Sequence, residues 1–350
     1  MKYSIIVPVY NRPDEVGELL ESLSNQTLKD FEVVIVEDGS VKTCKDVCDK
    51  YANILALHYY AKENSGPGQS RNYGAERANG EWVIILDSDV VLPTGYLQAV
   101  DDSLAAHHTS PPPVTAFGGP DAAHESFTPV QKAISYSMTS FFTTGGIRGG
   151  KAKFDKFYPR SFNMGIRRDV YLQLGGFSKM RFGEDIDFSY RIVEAGHQPR
   201  LFPEAWVWHK RRTDFRKFFR QVYNSGIARI NLEKRHPGTM KLVHLLPTVF
   251  TVGVIALILI SAVGRALMHY VDRDQFYWMC FSPWIPIILY SLLICIDSAI
   301  KNRSLKVGLL SIPAAFVQLM GYGLGFIESW WKRCVRKQDE FQAFEKTFYK

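Results

Sequence analysis

At 350 residues, with 46% hydrophobic and 22% charged residues, the chain can hold one sizeable domain and a smaller part, and its bulk composition is that of a globular protein. The formal net charge of +7 calls for a basic surface. No nucleic-acid-binding motif accompanies it and the densest basic stretch lies just before an apolar run, so the charge points to a membrane surface and nucleic acid is excluded as a partner. Five cysteines, at 44, 48, 280, 295 and 334, lack the further Cys or His pair that a zinc site needs, and read as reduced structural residues.

The first hundred residues alternate short apolar strands with helices. Ser4–Val9 reads as a buried strand, and residues 14–25 carry apolar side chains at 16, 19, 20 and 23, a helical spacing. Phe31–Val36 is a second strand running into Asp38-Gly39-Ser40, followed by a helix over 42–51 and a third strand over 56–60. A helix over 70–78 ends at Asn79-Gly80, and Trp82–Leu86 forms a fourth strand leading directly into Asp87-Ser88-Asp89. Uninterrupted apolar strands separated by helices predict an α/β domain with a mostly parallel sheet covered on both faces. Ligands of such sheets bind beyond the carboxyl ends of strands, where Asp38, Asp87 and Asp89 fall. Residues 110–160 read as loop-rich, with either a mobile loop or lid or a passive surface loop over the Gly-rich basic run 143–156. Order returns at 161–166, with a helix over 169–174 and the polar run Gly183-Glu184-Asp185-Ile186-Asp187.

Three apolar runs follow, over 242–263, 276–296 and 307–327, each near the ~20 residues that cross a hydrocarbon core. The expected division is a cytosolic catalytic domain over 1–235, a membrane region over 236–331 with two or three helices, and a basic tail over 332–350. The amino terminus carries no cleavable signal pattern, which keeps the first domain in the cytosol of a protein held in the inner or plasma membrane. Lys and Arg crowd the segment before the first run, whereas three full crossings would put Lys332, Arg333, Arg336 and Lys337 on the far side. One run, the second with its prolines or the third with its glycines, is therefore a candidate for a re-entrant or interfacial segment.

Asp87 and Asp89, two apart at a strand end, can converge on one divalent cation, and oxygen ligands suit Mg²⁺ or Mn²⁺ shared with substrate phosphates. Asp38 beside a Gly turn is either a helix cap or an acceptor for a base N–H. Glu184, Asp185 and Asp187 precede an amphipathic helix, where carboxylates suit the dipole and where one could also serve as a general base. His209-Lys210-Arg211-Arg212 could complete a clamp on leaving-group charge, with His209 a further metal ligand and Arg211 and Arg212 candidate diphosphate or acceptor contacts; a cationic membrane-facing patch is the alternative.

These pieces together resemble glycosyltransferase family 2: residues 4–11 (SIIVPVYN), Glu37-Asp38-Gly39-Ser40, Asn64-Ser65-Gly66, Arg71-Asn72-Tyr73-Gly74, Asp87-Ser88-Asp89, and the later Gly175-Gly176-Phe177 and Gly183-Glu184-Asp185 in the same order. The resemblance covers roughly residues 2–230. It implies a GT-A fold, a Rossmann-like α/β catalytic domain, and inversion at the anomeric carbon. It also implies that Pro8, Val9 and Tyr10 line the nucleoside pocket, that Asp38 meets the base, and that Arg71 lies near the base or diphosphate. Asp89 would then be the principal metal contact, Asp87 would sit nearer the ribose, Asp185 would be the catalytic base, and His209 would approach the metal. The Gln-x-x-Arg-Trp string of processive synthases of this family is absent, Arg220-Gln221-Val222-Tyr223 being the nearest, which favours transfer of a single sugar. The expected reaction moves a sugar from a nucleotide-sugar donor, UDP by default, to a hydroxyl of a lipid-linked saccharide or polysaccharide precursor. Transfer to polyprenyl phosphate and an inactive nucleotide-binding scaffold are the alternatives.

Overall fold

The computed structural model describes residues 1–107, 112–122, 124, 127–145, 157–266, 278, 280–341 and 343. By their contacts they group into two units, Met1–Glu125 with Gly150–Lys210, and Ser126–Gly149 with Arg211–Lys350. In chain order the first unit runs β1 (Tyr3–Val9), α1 (Pro13–Ser24), β2 (Phe31–Asp38), α2 (Lys45–Tyr51), β3 (Leu57–Lys62), α3 (Pro67–Arg77), β4 (Trp82–Leu86), β5 (Val90–Val91), α4 (Tyr96–Ala106), β6 (Ala116–Gly118) and β7 (Asp121–Ala122). After α5 (Pro129–Thr139) and α6 (Phe141–Thr144), which belong to the second unit, it resumes with β8 (Asn163–Arg167), α7 (Arg168–Gln173), α8 (Glu184–Glu194), β9 (Arg200–Leu201) and β10 (Val207–His209). The second unit continues with α9 (Phe215–Arg235), α10 (Leu246–Ala266), α11 (Ile285–Asn302) and α12 (Leu305–Trp330).

A seven-stranded sheet in the order β3-β2-β1-β4-β8-β6-β9 forms the first unit's centre, parallel from β3 to β4, with β8 antiparallel to both neighbours. Successive side chains of a strand point to opposite faces. Val33 and Ile35 accordingly join Ile5 and Ile84 against Val16, Leu19, Leu20 and Leu23 of α1. Val34 and Val36 join Ile6 and Ile85 against Ala75 of α3 and Phe188 and Ile192 of α8. Each such buried side chain contributes about 1.5–3 kcal/mol relative to exposure. Helix α3 lies so close to the sheet that a Cβ on Gly74 would stand 2.5 Å from Ile6 and 3.2 Å from Val36. A second, three-stranded sheet, β5-β10-β7, sits beyond the end of β4.

The second unit is built around α12. Helices α9 and α12 pack in close contact, with Gly321 against Phe219 and Val222, Gly325 against the Tyr223 carbonyl, and Gly226 against the Tyr322 carbonyl. The glycines of the third apolar run are thus points of helix contact. Ile134 and Met138 of α5 pack with Phe218 and Val222 of α9. Helix α5 opens on a capping box, Thr128 and Gln131 each bonding the other's backbone N–H. Among the described residues, three helices, Leu242–Arg265, Ser282–Asn302 and Leu305–Val335, are long and apolar enough to cross a membrane.

The strands stand where hydrophobic patterning places them, with β2 extending to include Asp38 and α3 beginning at Pro67 rather than residue 70. The loop-rich reading of 110–160 is corrected. Within it lie β6, β7, α5 and α6, whose short or half-polar sequences give little periodic signal. Residues 146–156, most of the expected lid, fall outside the described residues. Cys44 and Cys48 are buried free thiols, their sulfurs 3.9 Å apart beside Glu37.

Candidate active site

The end of β4 gathers the acidic pair and the histidine. Asp87 and Asp89 follow the strand directly, and His209 ends β10, which pairs antiparallel with β5 in the register His209 opposite Val90. That small sheet brings a residue far along the chain beside Asp89. One ligand atom from each of Asp87, Asp89 and His209 lies within 4.8 Å of the other two. His209 Nε2 is 3.2 Å from Asp89 Oδ1, its ring stacks on Phe162 at 5.0 Å, and its buried Nδ1 has no hydrogen-bond partner among the described residues. Two carboxylates and an imidazole converging in this way could hold a divalent metal ion.

Two arginines offset the negative charge. Arg12 Nη1 lies 2.6 Å from Asp89 Oδ2. Arg71, buried on α3, donates to Asp87 Oδ1 at 2.8 Å and to Glu184 Oε1 at 3.1 Å, with its guanidinium 5.1 Å from the Phe177 ring. The Asp87–Arg71–Glu184 bridge ties the strand end to the amino terminus of α8. Burial pushes the Glu184 carboxyl up to about 7; Arg71 opposes that rise and the neighbouring Asp185 adds to it. Arg71 is therefore held by protein carboxylates on both sides. Its Nε, also buried, is without a partner among the described residues.

Asp185 is the second residue of α8. The Ile186 N–H donates to its Oδ1 at 2.9 Å, and Arg160 Nη1 lies 3.3 Å from Oδ2. The carboxylate stays partly exposed, at 18%. Glu184, by contrast, is buried against Arg71.

Pro8 and Val9 close β1, Tyr10 follows them, and Asp38 ends the adjacent β2. Asp38 is buried and well supplied with donors: Lys62 Nζ at 2.5 Å and Ser65 N at 2.9 Å on Oδ1, and Gly66 N at 2.9 Å on Oδ2. Asn11, held at φ +55°, accepts from the backbone N–H groups of Val41 and Lys42 and donates its own N–H to Ser40, joining the loops after β1 and β2. Glu37, next to Asp38, turns inward to Cys44, Ser40 and Tyr59 and is a structural residue.

Sequence reasoning missed Arg12, Lys62, Arg160 and Phe162. Arg12 stands one residue beyond the SIIVPVYN stretch, so proximity to that motif was a usable signal; the other three carry none. Arg211 and Arg212 belong to the second unit, where Gln131 donates to the Arg211 carbonyl.

Residues 4–175 match the family described as Glycosyl transferase family 2. Among curated relatives, the pre-mycofactocin glycosyltransferase of Mycobacterium tuberculosis is 26% identical over 75% of this chain and 53% of its own length. The poly(ribitol-phosphate) beta-N-acetylglucosaminyltransferase TarS of Staphylococcus aureus is 37% identical over 31% of this chain and 20% of its own length. An uncharacterized glycosyltransferase of Haemophilus influenzae is 30% identical over 55% and 62%. These matches thus span less than two thirds of each relative. Among solved structures, a mannosyltransferase from Pyrobaculum calidifontis in complex with GDP-Man and Mn²⁺ superposes with a TM-score of 0.56 at 15% identity, covering 95% of this chain and 88% of its own. Residues 1–349 of S. aureus TarS give 0.50 at 17%, covering 97% and 92%. At such identities these two structures speak to the fold alone. Residues 4–175 belong to glycosyl transferase family 2, and the domain that carries them has the GT-A fold.

Proposed function

We propose that the chain is a membrane-anchored, inverting glycosyltransferase that moves one sugar from a UDP-sugar to a hydroxyl of a lipid-linked saccharide or polysaccharide precursor. The catalytic part lies within 1–235, ahead of a membrane region over 236–331 and a basic tail over 332–350. The observation that carries the reading is the convergence of Asp87, Asp89 and His209 at a strand end, tied through Arg71 to Glu184, the first residue of the helix whose second residue is Asp185.

Asp87, Asp89 and His209 would hold Mg²⁺ or Mn²⁺, whose contribution when bound is Lewis-acid neutralisation of the leaving diphosphate. Among the described residues Asp185 Oδ1 and Oδ2 each have one protein donor, and each oxygen keeps acceptor capacity for a substrate hydroxyl. The acceptor oxygen forms its bond to the anomeric carbon as its proton passes to the Asp185 carboxylate. The anomeric C–O bond breaks with its electron pair leaving on the diphosphate, so one displacement inverts the carbon. Burial of Glu184 against Arg71 leaves Asp185 as the carboxylate available for this proton.

Lone-pair accounting at Asp38 favours uracil or thymine over guanine as the donor base. A carboxylate offers about four acceptor positions. Lys62 and Ser65 fill those on Oδ1 and Gly66 takes one on Oδ2, so among the described residues one position remains. Uracil presents a single N–H between two carbonyls, whereas guanine presents adjacent N1–H and N2–H donors that ask for two acceptors. Calorimetry with UDP, GDP and dTDP, with Mn²⁺ and then EDTA, tests the reading. Metal-dependent binding of UDP is expected, and no binding of any nucleotide would overturn it.

A further inference from the structure

The three apolar helices differ in what surrounds them. Helix α10 exposes Val249, Val252, Ile255, Ile258, Leu259 and Val263 along its length, and α11 likewise exposes Ile288, Leu289, Leu292, Leu293 and Ile296. In α12 no residue from 314 to 329 is exposed. Of their apolar stretches, 11% and 17% are buried in α10 and α11, against 44% in α12.

What covers α12 decides its position. Val222 meets Gly321, Tyr223 meets Gly325, Ile227 accepts from Ser329 and Asn231 from Arg333. Partner numbers rise together, so α9 and the carboxyl-terminal half of α12 run parallel over several turns. Seven of the 21 residues of α9 are charged: Arg216, Lys217, Arg220, Arg229, Glu233, Lys234 and Arg235. A charged side chain at the bilayer centre costs at least about 2.5–3.5 kcal/mol, so α9 lies outside the hydrocarbon core. The half of α12 beside it lies at the same depth. What is left before Gly321 meets α9, residues 305–320, rises about 24 Å at 1.5 Å per residue, short of the ~30 Å hydrocarbon thickness.

The tail after α12 returns to the same helix. Ala343 N donates to Asn224 Oδ1 at 3.0 Å, Arg235 Nη2 pairs with Glu340 Oε2 at 2.8 Å, and Arg333 donates to the Gln338 carbonyl. The segments before α10 and after α12 are therefore on one side of the membrane, which requires an even number of crossings.

Resting on the anchoring read above, we propose that α10 and α11 are the two crossings, that their exposed face is occupied by the bilayer's hydrocarbon, and that α12 is a non-crossing spine clamped between α9, α5 and the tail. Trp284 Nε1 donates to Ser261 Oγ at 2.9 Å, joining the start of α11 to the late turns of α10 as a hairpin. Charge agrees with this count. With two crossings, the basic segment before α10, then Lys301, Arg303 and Lys306, and then Lys332, Arg333, Arg336 and Lys337 share one side, while at the far side Arg265 and Arg273 are matched by Asp272 and Asp274.

The test is site-resolved labelling of the full chain in cells by an impermeant maleimide, read by peptide mass spectrometry. Native Cys334 is exposed and needs no substitution; Lys234→Cys on α9 and Asp272→Cys between the crossings are made with Cys334→Ser. Pretreatment from outside is expected to abolish labelling at position 272 and leave 234 and 334 unchanged, with both becoming reactive in inside-out vesicles. Labelling of 334 from the side opposite 234 overturns the proposal. Uniform reactivity at all three, with release of the protein by alkaline carbonate, overturns the anchoring itself. A carboxyl-terminal tag removed by protease only from inside-out vesicles supports the same count without any substitution.

Discussion

The two units bury different chemistry. The first closes a sheet of β-branched side chains, Val33 to Val36 among them, between helices on both faces, and gathers Asp38, Arg71, Asp89 and Glu184 at the carboxyl end of its parallel strands, with Glu32 buried at the other. The second joins helices through glycines and hydroxyls, Gly321, Gly325 and the Ser298–Ser311 pair, and leaves its large apolar side chains outside on α10 and α11. Apolar area removed from water drives the first arrangement. Between helices in lipid that drive is absent, and close packing and interhelical hydrogen bonds take its place. A substitution should therefore act according to which unit holds it.

The largest effect belongs to the first unit's polar end. Asp185→Asn should lower turnover by about 10²–10⁴-fold while Mn²⁺-dependent UDP affinity stays unchanged, because only a proton acceptor is lost; steady-state kinetics beside calorimetry would show it. Retained turnover would move the base elsewhere. Arg71→Met leaves Asp87 and Glu184 without their shared partner, and breaking a buried pair costs about 3–5 kcal/mol. The first unit should melt earlier, and the second should hold its own transition if the units are energetically separate. Gly325→Val reverses the comparison, since its side chain would run into the Tyr223 carbonyl. It should cost about 1–3 kcal/mol in the second unit and leave UDP affinity unaltered.

Glu32 sharpens the contrast through pH. Burial alone would raise its carboxyl, yet donors from Ser4 and Asn79, with His58 nearby, hold it below the ordinary glutamate value. A lowered folded pKa gives stability that is present above the unfolded value of about 4.3 and lost as pH falls through the folded one. Glu32→Gln should flatten that acid limb in thermal melts of the first unit, at a cost of about 1–3 kcal/mol at neutral pH. The smallest change is Ser298→Ala, which removes the 2.7 Å bond to Ser311 between α11 and α12 and should cost about 0.6 kcal/mol in detergent unfolding.

Much of this organisation was readable in the chain. SIIVPV and WVIIL announce buried parallel strands because a strand covered on both faces needs no polar alternation. Asp87 and Asp89 declare themselves because they stand immediately after such a run. Helices α5 and α6 escaped because Ser, Thr and Gln interrupt their apolar period. Arg71 pairs with Asp87 and Glu184, and no local pattern foretells which carboxylates a buried guanidinium will find.

The sequence by itself determined the parallel core strands, the acidic residues at their carboxyl ends and the existence of three long apolar helices, since each follows from side-chain period and length along a short segment. Tertiary structure alone decided that His209 reaches Asp89, that Lys62 occupies Asp38, and that α12 lies along α9. Those outcomes depend on pairings between residues far apart in the chain, which hydrophobic periodicity does not encode.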